Sequence, residues 1–392
     1  MAVTQSPLHI DCDFDSGNIE IVDASQPSHV RLALRPDSHS GHFQWFHFRA
    51  AGLTPGQRHR FSLDNASQSS YPNAWTGYHA VASYDRQSWF RVPSQFDGAA
   101  LHIDLDAEQP QVWLAYFEPY PRARHNQLIE RAQGIAGIEL LASGRSVQGR
   151  DIPLLRASHG VSADGVPGDG APGKRKLWLI AQQHPGEHMA EWFMEGVIDR
   201  LEQNDAKVQA LLAVADLYLI CNMNPDGAYL GHLRTNFKGQ DLNRAWQSAS
   251  VELSPEVFFA QTQMQRHGVD AFIDVHGDEE IPHVFTAACE GNPNYSPRLA
   301  ALEQRFRDTL CRLTEDFQQV HGYTRDAPGQ ANMALACNAV GQAYDCLSLT
   351  LEMPFKDHDD APNPHTGWSG ARAKALAGAV LDTLLDLTAE LR

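Results

Sequence analysis

The sequence predicts an α/β fold class in which an antiparallel β-sandwich precedes a larger domain of alternating strands and helices. Up to about residue 118 the chain has short alternating or aromatic-rich runs broken by turns, the pattern of a sandwich. Farther along, short apolar runs alternate with loops and amphipathic helices, as in a sheet buried on both faces. We therefore expect two domains, residues 1–118 and 119–392.

The strands of the first domain are the segments HFQWFHFRAAGL, HRFSLDN, GYHAVASYD, SWFRVP and ALHIDLDAEQPQVWLAYF. After them, EPYPRARHN combines two prolines with a basic cluster, which indicates a domain boundary. The strands of the second domain are KLWLIA (176–181), DLYLIC (216–221), AFIDV (271–275), HVFTAA (283–288) and LSLTL (347–351). The Gly- and Pro-rich segment 159–174 is expected to be a surface loop.

Ionisable side chains follow several of these second-domain strands. KLWLIA leads into His184 and Glu187, AFIDV directly into His276, and LSLTL directly into Glu352. DLYLIC leads into the turn-forming run NMNPDG. Ligands bind at the carboxyl ends of strands in open α/β sheets, so we expect a functional site along this one edge.

Composition excludes several classes of partner. A net charge of −17 argues against nucleic acid and anionic membranes. No apolar run approaches the roughly 18 residues that span a bilayer, and the first residues lack a basic segment followed by an apolar one. The six cysteines have no CxxC spacing, which fits reduced, mostly buried thiols. We therefore expect a cytoplasmic location; the oligomeric state stays open.

The run QHPGEHMAEW contains overlapping metal-binding patterns. His184 with Glu187 forms one HxxE pair, and His188 with Glu191 forms another. Read as HxxEH, the same residues match the inverted zincin motif, in which both histidines bind zinc. That motif needs a continuous helix, yet a proline and a glycine separate the two histidines.

The residue pattern of the helix after this run distinguishes between the two HxxE pairs. Its apolar residues form one stripe: Met189, Trp192, Phe193, Val197 and Leu201. Its polar residues fall on the other side: His188, Glu191, Glu195 and Asp199. We expect this polar face to be solvated, which leaves the first pair, in a tight turn, as the candidate metal site.

A catalytic zinc site needs three protein ligands and an open position. His276, at the end of a strand, is the best candidate for the third ligand, and His283 is the next. His276 with Glu279 also forms a third HxxE match, which shows how often the bare pattern arises by chance among 19 histidines.

The segment 224–246, NPDGAYLGHLRTNFKGQDLNRAW, concentrates cationic side chains in an acidic chain. It contains His232, Arg234, Lys238 and Arg244. One interpretation is a solvated basic loop, and the other is an anion-binding wall in which Arg forks engage carboxylates.

Together these segments resemble the zinc metallocarboxypeptidases of the funnelin family, in the bacterial form of the cytosolic carboxypeptidase branch. The motifs GRSVQGRDI, HPGE, NPDG, DLNRAW, IDVHGDEE and LTLEMPF occur in the family's order over about residues 125–392. WFHFR and AYFEPYP resemble the amino-terminal β-sandwich of this branch. The resemblance implies an α/β/α metallocarboxypeptidase domain with a mixed central sheet.

The resemblance implies one zinc ion per chain, held by His184, Glu187 and His276. It assigns Asp241 as the carboxylate that orients His184. Both assignments are chemically sound, because zinc lowers the pKa of its water to about 7 and a carboxylate beside a metal-bound histidine fixes the tautomer of the ring.

The resemblance also implies the catalytic and substrate-binding residues. Glu352 is the general base and acid, and Arg234 polarises the scissile carbonyl. Asn243 with Arg244 clamps the terminal carboxylate of the substrate, which a bidentate fork accepts and a mid-chain peptide lacks. The expected substrate is therefore the carboxyl-terminal tail of a peptide or protein.

The sequence departs from the family's pattern at two points. The mobile tyrosine of the family is assigned to Tyr323, and Tyr344 is interpreted as structural. Eukaryotic relatives remove glutamates with a basic residue in the specificity pocket, but residues 327–352 contain no Lys or Arg. Glutamate preference is thus a hypothesis that depends on Arg325 or Lys238.

Two rival functions remain at this point. A zinc amidohydrolase of the acylamino-acid type shares the His, Glu, His ligand set, although the β domain and NPDG with DLNRAW favour the peptidase. A binding protein that holds a carboxylated peptide without cleaving it would lack a metal ligand or the base Glu352, and all of these are present.

Overall fold

The computed structural model describes residues 8–159 and 173–392. The predicted surface loop at 159–174 lies almost wholly outside these residues. The strands of the amino-terminal part are β1 (His9–Asp11), β2 (Glu20–Asp23), β3 (His29–Ala33), β4 (His47–Ala51), β5 (Arg58–Leu63), β6 (Ala80–Ser83), β7 (Phe90–Val92), β8 (Ser94–Phe96), β9 (Leu101–Asp106) and β10 (Gln111–Ala115). Two short 3₁₀ helices, Ala66–Gln68 and Pro72–Trp75, lie between β5 and β6.

These strands form two sheets. One has the order β1-β4-β10-β6-β7 and is antiparallel throughout. The other has the order β2-β3-β5-β9-β8, in which β3 and β5 are parallel and the remaining pairs antiparallel. The rings of Phe48 in one sheet and Phe61 in the other lie 5.6 Å apart. The predicted sandwich is confirmed, with one parallel pair that the prediction did not include.

The second part of the chain alternates strands and helices. Its elements are α1 (Arg122–Gln133), β11 (Ile138–Arg145), β12 (Asp151–Ala157), β13 (Arg175–Ala181), α2 (His188–Gln203), α3 (Ala206–Val214), β14 (Ala215–Ile220), α4 (Pro225–Leu230), a 3₁₀ turn Leu242–Arg244, α5 (Pro255–His267), β15 (Ala271–Asp278), β16 (Phe285–Ala288), α6 (Pro297–Leu313), α7 (Ala336–Tyr344), β17 (Leu347–Pro354) and α8 (Gly370–Leu387). The domain boundary at 118/119 stays a prediction.

The central sheet has the order β11-β12-β14-β13-β15-β17-β16. Its four middle strands are parallel, and the outer strands β12, β11 and β16 pair antiparallel. Side chains of β13 alternate between the faces: Leu177 and Leu179 pack in the core with α2 and α8, whereas Trp178 and Ile180 pack with α5 and α7. The α/β/α arrangement with a mixed sheet is therefore confirmed.

The parallel strands also fix the position of the candidate site. β15 and β17 run beyond the apolar segments read from the sequence, so that His276 and Glu352 lie within strands and are direct neighbours in register. Both residues therefore lie two residues before the ends of their strands, not directly after the ends as the sequence predicted.

The prediction that the polar face of α2 is solvated was wrong. His188, Glu191 and Glu195 are all buried. The ring of Trp45 in the sandwich packs 4.4 Å from the ring of His188. The backbone N–H of Tyr120 donates to His188 Nδ1 at 3.0 Å, and the Tyr120 hydroxyl donates to Glu195 at 2.7 Å. Trp45 of the sandwich covers His188, whereas Glu191 and Glu195 pair with side chains of α1 and α8. Polar periodicity alone reveals neither kind of contact.

The cysteines agree with the expectation of reduced, mostly buried thiols. All six cysteines are free, and four of them are buried. Within residues 8–159 and 173–392, no helix combines the length and apolar character needed to cross a bilayer.

Candidate active site and metal centre

Three donor groups converge at the carboxyl edge of the sheet. His184 and Glu187 lie in the turn between β13 and α2, and His276 lies in β15. Glu187 contacts both histidines: its Oε1 lies 2.6 Å from His184 Nδ1, and its Oε2 lies 2.8 Å from His276 Nδ1. The three ligand atoms lie within 4.8 Å of one another, and the residues are buried. Two imidazole nitrogens and one carboxylate form a donor set of catalytic zinc sites.

A carboxylate holds the far nitrogen of each histidine. Asp241 Oδ1 lies 3.1 Å from His184 Nε2, and Asp274 Oδ2 lies 2.9 Å from His276 Nε2. These contacts leave both Nδ1 atoms toward the cluster, as metal ligation requires. Asp274 was missed in the sequence. Its signal is local, because residues two apart on a strand share a face and Asp274 precedes His276 by two.

The turn before α2 depends on a close backbone approach at Gly186. A Cβ at this position would lie 2.9 Å from the carbonyl oxygen of Leu233, and the Gly186 N–H donates to that oxygen at 3.0 Å. Only glycine fits here without displacing the neighbouring loop. Since α2 begins at His188, His184 and His188 do not share a helix, and the inverted zincin reading fails.

The charge state of Glu187 suits a cation. Burial acts to raise the pKa of Glu187, but His184 and His276 more than offset it and hold the value at about 2. Glu187 is therefore a carboxylate at neutral pH and can ligate a divalent ion.

Glu352 lies beside this cluster with one oxygen uncommitted. Its Oε1 accepts from the Tyr323 hydroxyl at 3.2 Å, and its buried Oε2 has no hydrogen-bond partner among the described residues. Burial raises the pKa of Glu352 to about 8, with Glu187 and Asp278 adding to the rise and His276 opposing it. A divalent cation at the cluster would lower this pKa, leaving a carboxylate ready to accept a proton.

One cavity of about 810 Å³ joins these groups to the basic loop. The predicted site residues that line it are His184, Glu187, Arg234, Asn243, Arg244, His276, Tyr323 and Glu352. Asp241 does not line the cavity and contacts the Nε2 atom of His184, on the side of the ring away from the cluster. Lys238 is exposed and is absent from the lining of this cavity. His283, the second candidate for the third ligand, instead pairs with Asp360 and stacks on His321.

The basic loop presents two arginines to the cavity. Arg234 donates from Nε to Asp241 at 2.8 Å and from Nη1 to the Tyr71 hydroxyl at 2.5 Å. Arg244 is exposed, and its Nη1 donates to the carbonyl of Asn243 at 2.8 Å. Among the described residues Arg244 forms no ion pair, so its guanidinium is available to a carboxylate ligand. The anion-binding interpretation of this loop is therefore favoured.

Asn243 is held rigidly at the same wall. Its Oδ1 accepts the backbone N–H of Ala336 at the start of α7, at 2.8 Å. Its Nδ2 lies 3.5 Å from His276 Nε2. The amide group therefore lies beside His276 and lines the same cavity as Arg244.

Comparison with known proteins identifies the family. The model of the cytosolic carboxypeptidase N-terminal domain matches residues 10–117, and the zinc carboxypeptidase model matches residues 132–359. The chain belongs to the zinc carboxypeptidase family. It is therefore a peptidase with zinc as its cofactor, and the His, Glu, His cluster fits that ion.

Relatives extend over nearly the whole chain. A metallo-carboxypeptidase from Pseudomonas aeruginosa is 62% identical and superposes with a TM-score of 0.94 over 98% of this chain and 100% of that chain. A metallo-carboxypeptidase from Burkholderia cenocepacia is 39% identical, with a TM-score of 0.92 over 97% and 99%. Cytosolic carboxypeptidase 6 of Caenorhabditis elegans is 27% identical over 90% of this chain and 79% of its own length. The resemblance to the bacterial form of the cytosolic carboxypeptidase branch is thus confirmed, and the amidohydrolase alternative loses its support.

Proposed function

We propose that this carboxypeptidase removes carboxyl-terminal residues at the cavity between the metal cluster and Arg244. One observation carries the proposal. Glu352 is the register neighbour of His276 and has an oxygen, Oε2, with no hydrogen-bond partner among the described residues. The metal-binding group of His184, Glu187 and His276 therefore lies beside a candidate base, in a cavity that Arg244 also lines. His184, Glu187 and His276 are the proposed zinc ligands, with Asp241 and Asp274 orienting the rings.

Each remaining residue has a distinct task in this proposal. Bound zinc supplies Lewis acidity to the reaction. Glu352 accepts a proton from the attacking water at Oε2 and later gives it to the nitrogen of the leaving amino acid. Arg234 donates an N–H to the carbonyl oxygen as negative charge develops there.

A second group of cavity residues is assigned to substrate binding. Asn243 and Arg244 would hold the terminal carboxylate, which makes the enzyme an exopeptidase. The Pseudomonas aeruginosa relative was solved in complex with (2-guanidinoethylmercapto)succinic acid, a dicarboxylic acid, which supports carboxylate recognition at such a wall. Tyr323 is half exposed, and its hydroxyl reaches Asp278 at 2.7 Å. We assign it to covering the bound substrate.

We further propose a preference for carboxyl-terminal glutamate. Two arginines that line the cavity support this preference. Arg325 was a candidate from the sequence, and Arg307 was not. Glu290 and Glu303 pair with these arginines, so a substrate carboxylate has to compete for them. Arg325 is the more exposed of the two, with 60% of its side chain accessible. We also propose that the enzyme acts in the cytoplasm.

A panel of peptides tests both parts of this proposal. Matched peptides ending in Glu, Asp, Leu or Lys, and a Glu peptide with an amidated terminus, are incubated with the enzyme and analysed by mass spectrometry. We expect fastest release of Glu, no release from the amide, and about a tenfold loss for Glu in Arg325→Gln, the lower range for one charged hydrogen bond. Fastest release of Leu or Lys would refute the proposed glutamate preference. Cleavage of the amidated peptide would refute the proposed role of Asn243 and Arg244 in binding the terminal carboxylate.

A further inference from the structure

The amino-terminal domain contributes a side chain to the catalytic cavity. Tyr71, at the start of the 3₁₀ helix Pro72–Trp75, lines the cavity together with Arg234. Its hydroxyl accepts Arg234 Nη1–H at 2.5 Å. The guanidinium carbon also lies 5.9 Å from the centre of the tyrosine ring, within reach of a cation–π contact.

Tyr71 is itself fixed in place by Gln44. The backbone N–H of Tyr71 donates to Gln44 Oε1 at 2.8 Å, and Gln44 Nε2 donates back to the Tyr71 carbonyl at 3.2 Å. Gln44 Nε2 also donates to the Tyr116 hydroxyl at 3.0 Å, and Gln44 is fully buried. Burial raises the pKa of Tyr71 well above its ordinary value, so the hydroxyl stays neutral. A neutral hydroxyl on an immobile residue is a fixed acceptor for the guanidinium.

The same domain fixes the backbone that carries Arg234. The buried carboxylate of Asp37 accepts the backbone N–H groups of Leu233, Arg234 and Thr235 at 2.6, 2.8 and 2.8 Å. It also accepts the Thr235 hydroxyl at 3.0 Å. The loop after α4 is therefore held by a side chain from the β-sandwich, about 200 residues away in sequence.

Two contacts then determine which nitrogen of Arg234 is left for substrate. Nε is committed to Asp241 and Nη1 to Tyr71, and Nη2 has no hydrogen-bond partner among the described residues. A planar guanidinium held at two nitrogens has a fixed orientation. Nη2 is thus the nitrogen whose two N–H groups both remain available to a carbonyl oxygen in the cavity.

We propose that Tyr71 is a positioning residue for catalysis, which orients Arg234 so that Nη2 meets the scissile carbonyl oxygen. The inference rests on the proposed role of Arg234. Donors aimed at developing charge accelerate the reaction only when they are preorganised. The β-sandwich therefore supplies part of the active site rather than a scaffold alone.

Tyr71→Phe tests this inference because it removes one hydroxyl and keeps the ring. We expect kcat to fall about tenfold with KM within about twofold, since an interaction made mainly in the transition state is lost. Tyr71→Ala should lose at least as much. Tyr84→Phe is the matched control: its hydroxyl also lies in the sandwich, where it accepts the Glu108 N–H at 2.9 Å. Thermal unfolding of each variant checks that the fold is retained.

The decisive comparison combines Tyr71→Phe with Arg234→Ala. If Tyr71 acts through Arg234, the double variant has the same kcat as Arg234→Ala alone. Multiplied losses in the double variant, an unchanged kcat in Tyr71→Phe, or a rise in KM alone would each overturn the inference. Absence of any peptide trimming by the wild-type chain would instead refute the proposed function, and the role of Tyr71 would fall with it.

Discussion

Replacement of Asp274 by Asn perturbs the metal centre without touching a proposed ligand. Asp274 is fully buried, and its Oδ2 lies 2.9 Å from His276 Nε2. Gln183 Nε2 donates to the same oxygen at 2.6 Å. An asparagine of the same shape removes the negative charge that makes His276 a stronger metal ligand. Its amide NH2 lies either at the buried Oδ1 position, which has no hydrogen-bond partner among the described residues, or against one of the two partners of Oδ2.

The expected loss is large for a residue that does not contact the metal. Changes to such orienting carboxylates typically reduce metal affinity or activity by about 10–100-fold, which corresponds to roughly 1.4–2.7 kcal/mol. We expect the upper part of this range for Asp274→Asn, because Asp274 is fully buried and both partners of its Oδ2 interact with the carboxylate charge.

Zinc affinity is measured by competition with a chromophoric chelator, and kcat/KM on one peptide is measured in parallel. Asp216→Asn is the control, since Asp216 is an equally buried carboxylate that accepts the Ser158 hydroxyl at 2.5 Å near the amino end of β14. It should alter stability but leave zinc affinity unchanged. Wild-type zinc affinity in Asp274→Asn, or an equal loss in Asp216→Asn, would refute the reasoning.

Two further predictions concern buried carboxyl groups. Glu352→Gln should retain zinc and lose about 10²–10⁴-fold in kcat, the usual contribution of a general base; a normal turnover rate in steady-state assays would contradict its assignment. Burial raises the pKa of Glu256 from 4.5 to about 7, so the folded chain binds more protons than the unfolded chain between these values. Stability should therefore fall as pH rises through this window, by up to about 3 kcal/mol. Urea unfolding at about pH 5 and about pH 8 should show a smaller decline in Glu256→Gln; an equal decline would contradict the prediction.

The central sheet and most of the site were predictable from the sequence because their signals are local. His276 and Glu352 directly follow apolar runs, and parallel strands bring such positions to one edge. The metal trio and the cavity-lining arginines were therefore brought together as expected. Asp274 had an equally local signal, its spacing of two from His276, that was not used.

The missed features depend on the packing of one domain against the other. Asp37 and Tyr71 contact the loop of Arg234 across separations of 197 and 163 residues, and no periodicity links such positions. On the polar face of α2, His188 was misread for the same reason, whereas Glu191 and Glu195 are buried by ion pairs with α1 and α8. His188 has a polar side chain at a helical position that normally faces water, and only the docked sandwich with Trp45 buries it.

We propose above all that zinc held by His184, Glu187 and His276 serves a peptidase that requires a free terminal carboxylate. The most direct test quantifies zinc in the purified wild-type chain and in Glu187→Gln, and follows each with a peptide and its carboxyl-terminal amide by mass spectrometry. We expect about one zinc per wild-type chain and stepwise trimming of the free acid alone, with both lost in Glu187→Gln. Full zinc content and normal trimming in Glu187→Gln would contradict the claim.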